Sequence, residues 1–190
     1  MAQKDNLYTL PAGLPVPMDD GACDHLPGMQ LPSVPLLATT GEWIDLASLA
    51  GRSVVYCYPR TGRPDEAPLP GWDEIPGARG CTPQSCAFRD HYQELQALGA
   101  GVFGLSTQDT DYQREAAERL HLPFPLLSDA SLAFARALRL PTFAVAGMTL
   151  IKRLTLIIAD GRIEKVFYPV FPPDKNAGDI IRWLAQHGSG

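Results

Sequence analysis

Two short apolar runs constrain this chain more than any other feature: RSVVYCYP, from Arg52 to Pro59, and GVFGLS, from Gly101 to Ser106. The first is β-branched and aromatic throughout and does not alternate with polar residues, which is the pattern of a strand covered on both faces. The second has the same buried character. From Thr82 onward the period between them is helical. Thr82 is placed to cap and Pro83 suits a first turn. Phe88, Tyr92 and Leu95 then recur at i, i+4 and i+7, and Gly99 marks the end. A buried strand, a helix and a second buried strand define a parallel crossover unit.

The flanking segments fit around that unit. VPLLATT and EWIDL, separated by Gly41, read as a β-hairpin. Thr110 and Gln113 have the spacing of a capping box, ahead of a helix running to about His121. FPLLSD reads as a short strand and SLAFARALRL as a short helix. LIKRLTLII, the turn ADG and RIEKVFYPV read as an antiparallel hairpin. Asp174 to Gln186 closes the chain as an amphipathic helix with Ile180, Ile181 and Leu184 on its apolar face. The expected fold is α/β and thioredoxin-like: a central mixed β-sheet flanked by helices, with an N-terminal hairpin and a long loop before the central helix. At 190 residues one domain is expected, residues 28–190, preceded by an extended arm, residues 1–27. The 18 prolines gather in the first half and near residue 172, in keeping with an arm and a long loop over residues 60–80.

Charge excludes several function classes. The net charge is -5 and no basic cluster offsets it, so no nucleic-acid partner is expected. No apolar run approaches the ~20 residues of a membrane span. The first residues lack a basic stretch followed by an apolar one, so no secretory signal is read and the expected compartment is the cytoplasm. Lasting disulfides are rare there, and a close cysteine pair is more often catalytic or metal-binding.

Of the four cysteines, Cys23, Cys57, Cys81 and Cys86, only the last two are close in sequence. Cys81 falls at the start of the predicted helix, where unpaired N–H groups and the macrodipole favour an anionic sulfur, the nucleophilic form. Cys86 lies further inside. Five residues along a helix separate Cα atoms by ~8–9 Å, whereas a disulfide needs less than about 7 Å. A Cys81–Cys86 bond therefore requires the first turns to unwind, which makes a switch between a folded reduced state and a locally opened oxidised one. Two other readings stay open from residues alone: a pair of small core residues, and zinc, for which His91 and His121 would have to assist although no second knuckle is present.

The run YCYPR…GCTPQSCAFRDHYQEL resembles the peroxiredoxins, and within them the Q-type branch of bacterioferritin comigratory proteins. The later run KRLTLIIADGRI resembles that family's arginine-bearing strand. The resemblance covers about Gly28 to Leu184. It implies a thiol peroxidase and antioxidant in which Cys81 is peroxidatic and Cys86 resolving through a redox-active disulfide. It implies that Arg153 is the active-site arginine and that Pro59 shields the sulfur. The substrate implied is hydrogen peroxide or a small organic hydroperoxide, and the reductant is of the thioredoxin type. No metal or organic cofactor is expected, and the chain is expected to act as a monomer. A guanidinium stays charged, favours an anionic sulfur beside it and can donate to both peroxide oxygens. A thiol–disulfide oxidoreductase or a redox-sensing module of the same fold are the alternatives. The former favours a C-x-x-C pair, which this chain lacks.

The chain departs from the family pattern in three places. About fifteen extra residues separate Pro59 from Cys81. The family's threonine, three residues before the cysteine, falls on Ala78, leaving Thr61 as the other source of a hydroxyl. The acidic residue often found between the two cysteines is Gln84 here. Cys57, mid-strand, is expected to be a core hydrophobe and Cys23 a free thiol in the arm.

Overall fold

In the computed structural model, which describes residues 6–188, both apolar runs are interior strands. The chain forms β1 (Pro35–Ala38), β2 (Trp43–Asp45), β3 (Arg52–Cys57), α1 (Cys81–Asp90), α2 (Tyr92–Ala97), β4 (Ala100–Ser106), α3 (Thr110–Arg119), β5 (Leu126–Ser128), α4 (Ala133–Leu138), β6 (Thr142–Val145), β7 (Met148–Ile151), β8 (Leu154–Ala159), β9 (Arg162–Phe167) and α5 (Asn176–Gln186). Seven strands make one mixed sheet in the order β2-β1-β5-β4-β3-β8-β9. β3 and β4 are parallel, as are β4 and β5, while β8 lies antiparallel on the other side of β3.

The two-residue strand period sorts the core into two layers. Val55 and Cys57 face a cluster with Leu36, Leu105, Phe134 and Ile158. Val54, Tyr56 and Tyr58 face the opposite one, with Cys81, Phe88, Leu95, Ile180 and Leu184. Val54, Val55, Tyr56 and Cys57 are fully buried, so both faces of β3 are covered as its composition implies. The Tyr56 and Phe88 rings stack 4.5 Å apart and lock α1 to the sheet. Residues ahead of β1 contribute one bridge, Gln30 with Arg162, and bury Cys23, Leu26 and Leu31 in the first layer.

Local details differ from the sequence-based expectation. The single helix expected from Thr82 to Leu98 is two, α1 and α2, because the backbone leaves helical dihedrals at His91 (φ -101°, ψ 9°). Nothing in the local sequence marks this break. Gly80, not Thr82, holds the N-cap position of α1, and Asp109, not Thr110, caps α3 by accepting from the Tyr112 amide at 2.7 Å. LIKRLTLII is not one strand. Lys152 and Arg153 interrupt it, leaving β7 in a separate two-stranded sheet with β6. The β6–β7 hairpin escaped notice because its turn places Ala146 and Gly147 at positive φ, and alanine is a weak signal for that geometry.

The segment between β3 and α1 is built onto the fold. Its one regular piece is a short 3-10 turn, Trp72–Glu74. Trp72 and Ala78 pack with Leu150 and the β6–β7 side chains Phe143, Val145 and Met148 as a third small core. At its other end the Arg63 guanidinium lies 4.2 Å from the Tyr112 ring centre, Tyr112 Oη donates to Glu66 at 2.8 Å, and Arg119 donates to the Gly62 carbonyl at 3.0 Å. The inserted residues thus bridge α3 and the small sheet, and wall off the start of α1. Among the described residues no helix is long and apolar enough to cross a membrane.

Candidate active site

Cys81 is the first residue of α1. Its N-cap, Gly80, sits at φ 115°, with the Leu10 and Pro173 side chains each 2.8 Å from where a Cβ would lie. Only glycine meets both the backbone conformation and the space. Cys81 is 3% exposed, at the floor of a cavity of about 60 Å³ lined by Leu7, Arg60, Trp72, Arg79 and Thr82 among others. That volume holds a few water-sized atoms. The Thr82 hydroxyl makes no hydrogen bond to another described residue and borders this space.

The break between β7 and β8 turns Arg153 inward. Its side chain is 3% exposed and each nitrogen is engaged. Nε donates to the Gly77 carbonyl at 3.2 Å, Nη1 to Gln84 Oε1 at 2.5 Å, and Nη2 to the Ala78 carbonyl at 2.9 Å and to Cys81 Sγ at 3.2 Å. Gln84, fully buried, donates in turn to Asn176 Oδ1 at 3.1 Å, which also accepts from the Thr155 hydroxyl at 2.7 Å. α1, β8 and α5 are thereby tied together around the guanidinium. Among the described residues no ion pair includes Arg153. Its hydrogen-bond partners are two backbone carbonyls, a neutral amide and one sulfur. A buried guanidinium without a counter-charge is costly, and among the described residues Cys81 Sγ is the one side-chain hydrogen-bond partner of Arg153 besides Gln84.

The role of Gln84 was not read from the sequence, although a signal was there: it lies three residues after Cys81, on the same face of α1. Where an acid would form an ion pair with the arginine, the amide anchors it through a hydrogen bond.

Cys86 lies within the same helix, half-buried and unbonded, and burial pushes its thiol up while the nearby Arg89 charge opposes that shift more weakly. Arg89 pairs with Asp90 at 2.9 Å and also donates to the Leu120 carbonyl at 2.9 Å, tying α1 to the end of α3. Cys57 and Cys23 both belong to the layer across the sheet from Cys81. Burial raises both thiols, Cys23 to about 12 with Asp20 adding to the effect. Pro59 is buried and borders an adjoining cavity that it shares with Gly77 and Arg153, not the cavity over Cys81. Thr61 is buried too. Its hydroxyl donates to Gln108 Oε1 at 3.1 Å, and it is Arg60 and Gly62, on either side, that line the Cys81 cavity.

A thioredoxin-like α/β sheet with a cysteine at a helix start beneath a buried arginine defines a thiol-based redox protein. The chain belongs to the Redoxin family, which it matches over residues 26–181, and within it to the peroxiredoxin Q and Bcp group. It is 31% identical over 152 residues to peroxiredoxin Bcp of Escherichia coli (strain K12), covering 77% of this chain and 87% of that one. It is 31% identical over 159 residues to a putative chloroplastic peroxiredoxin Q of Oryza sativa subsp. indica, covering 83% of this chain but only 65% of the relative. The chain thus spans slightly under two thirds of the length of that plant relative. Among solved structures, peroxidoxin BcpB from Mycobacterium tuberculosis superposes with a TM-score of 0.69 at 27% identity, covering 87% of this chain and 100% of that one.

Proposed function

We propose that this chain is a thiol-dependent peroxidase that reduces hydrogen peroxide and small organic hydroperoxides. The observation that carries the reading is the 3.2 Å approach of Arg153 Nη2 to Cys81 Sγ in a buried site with no other counter-charge for the guanidinium among the described residues. The Cys81 thiolate attacks one peroxide oxygen. An S–O bond forms, the O–O bond breaks, and the electron pair leaves on the far oxygen, which takes a proton and departs as water or an alcohol. The sulfur is left as a sulfenic acid. Arg153 stabilises negative charge first on the sulfur and then on the departing oxygen, and Pro59 shapes the neighbouring space.

Cys86 then attacks the sulfenic sulfur. An S–S bond forms, the S–O bond breaks, and the hydroxyl leaves as water with the Cys86 proton. Cys81 and Cys86 share one continuous helix, so the first turns of α1 open to bring the sulfurs together. A thioredoxin-type dithiol reductant takes over the disulfide and restores both thiols. The cycle uses no cofactor and suits a cytoplasmic monomer.

The test is to treat the reduced protein with one equivalent of hydrogen peroxide and map the products by mass spectrometry, for the parent and for Cys86→Ser. A Cys81–Cys86 disulfide in the parent and a sulfenic acid held on Cys81 in the variant are expected. Oxidation falling mainly on Cys23 or Cys57 would refute the assignment.

A further inference from the structure

The cavity over Cys81 is unlike the rest of this acidic chain. Its charged lining is three arginines, Arg60, Arg63 and Arg79, against one carboxylate, Glu66. Two of the arginines have acidic partners: Arg79 donates to Asp73 at 2.9 Å, and Arg63 lies 3.6 Å from Glu115 and 3.7 Å from Glu66. Arg60 does not. Among the described residues it enters no ion pair. Its Nη1 approaches the Met148 sulfur at 3.7 Å, its Nη2 the Tyr112 hydroxyl at 3.4 Å, and the guanidinium sits 5.7 Å from the Tyr112 ring centre. These are weak contacts and none is an ion pair, the nearest link to a carboxylate running through the Tyr112 hydroxyl to Glu66.

Arg60 directly follows Pro59 at the end of the central strand and lines both the cavity over Cys81 and a neighbouring one that it shares with Asp109, Tyr112 and Met148. The inserted residues provide the opposite wall. Of the arginines lining the cavity, Arg60 is the one that enters no ion pair among the described residues, and an unpaired cation at a confined site favours ligands of the opposite charge. We propose that Arg60 is a specificity-determining residue that selects short hydroperoxides bearing a carboxylate, with the peroxide at Cys81 and the carboxylate on the Arg60 guanidinium. The small cavity disfavours long acyl chains, and the planar fork of arginine suits a carboxylate. The inference rests on the peroxidase reading above and names the substrate class for that same site.

The experiment compares 4-hydroperoxy-4-methylpentanoate with its methyl ester, which differ in one charge, and uses hydrogen peroxide to report the chemistry itself. Second-order rate constants for oxidation of the reduced protein are measured by stopped-flow tryptophan fluorescence. The acid is expected to react about tenfold faster than the ester, an advantage that shrinks as salt is added. In Arg60→Gln the acid-to-ester ratio should fall to near one, and Arg60→Lys should restore part of it. An acid and ester that react alike in the parent, or a preference that survives in Arg60→Gln, would overturn the inference. The salt series on the parent decides the matter without any variant, since a salt-insensitive ratio also overturns it. Failure of hydrogen peroxide to oxidise Cys81 would instead defeat the peroxidase reading, so the two failures are distinct.

Discussion

Arg153 and Cys81 stand 72 residues apart in the chain, and the guanidinium Nη2 meets the sulfur at 3.2 Å. One residue comes from the break between two strands, the other from the first position of a helix, and Gln84 links the two by anchoring the arginine from the next turn of α1. The contact is thus a property of how β8 and α1 are held together.

Replacing Arg153 by lysine keeps the charge but loses the fork that reaches Gln84, Ala78 and Cys81 together. The rate constant with hydrogen peroxide is expected to fall by about 10²–10³, the usual loss for one electrostatic donor. Stopped-flow oxidation of reduced parent and variant checks this, and an unchanged rate would show that the contact has no part in the chemistry.

Gln84→Ala removes a fully buried amide that accepts from Arg153 and donates to Asn176. Arg153 Nη1 loses its acceptor while Asn176 Oδ1 keeps the Thr155 hydroxyl, so a stability loss of about 1–3 kcal/mol is expected. Urea unfolding monitored by circular dichroism measures it. A loss close to zero would mean that the network can rearrange around the gap.

Gly80→Ala forces a side chain into a left-handed conformation against Leu10 and Pro173. The expected cost is about 1–3 kcal/mol, with a slower reaction of Cys81 toward peroxide because the start of α1 must shift. Thermal melts and single-turnover oxidation report the two effects separately. A variant as stable and as fast as the parent would contradict the fit described for this position.

Stability should decline as pH rises above about 9. The Cys23 thiol is held up to about 12 in the fold against an ordinary 9.0 when unfolded. Below pH 9 both states keep the proton and the group contributes its full stabilisation. Between 9 and about 12 the unfolded chain releases a proton that the folded chain retains, which favours unfolding. Urea midpoints across this range should fall with pH, and Cys23→Ala should flatten the slope. Equal slopes in parent and variant would remove Cys23 as a source.

The central strands β3 and β4, the helix start at Cys81 and the β8–β9 hairpin were legible in the sequence because each is a local matter, whereas the β6–β7 hairpin was not. Uninterrupted apolar runs mark β3 and β4, a change to helical period marks α1, and an ADG turn marks the β8–β9 hairpin. Cys86 suggested itself by its closeness to Cys81 in the sequence, but Arg153 could be named only through a family pattern, since spacing along a chain carries no distance between segments.

What tertiary structure alone decided is how charge is distributed around the sulfur. The interruption at Lys152–Arg153 looks like an ordinary strand in the sequence, and only packing against α1 turns the guanidinium inward. Gln84 looks like a lost acid until its two buried partners are in place. The inserted residues look like a loose loop until Trp72 finds Phe143 and Leu150, and Arg63 finds Tyr112. Local sequence chooses backbone conformations through sterics and hydrophobic period. Which polar groups lose their water together, and so which charges must answer each other, depends on contacts between distant segments that exist only once the sheet has assembled.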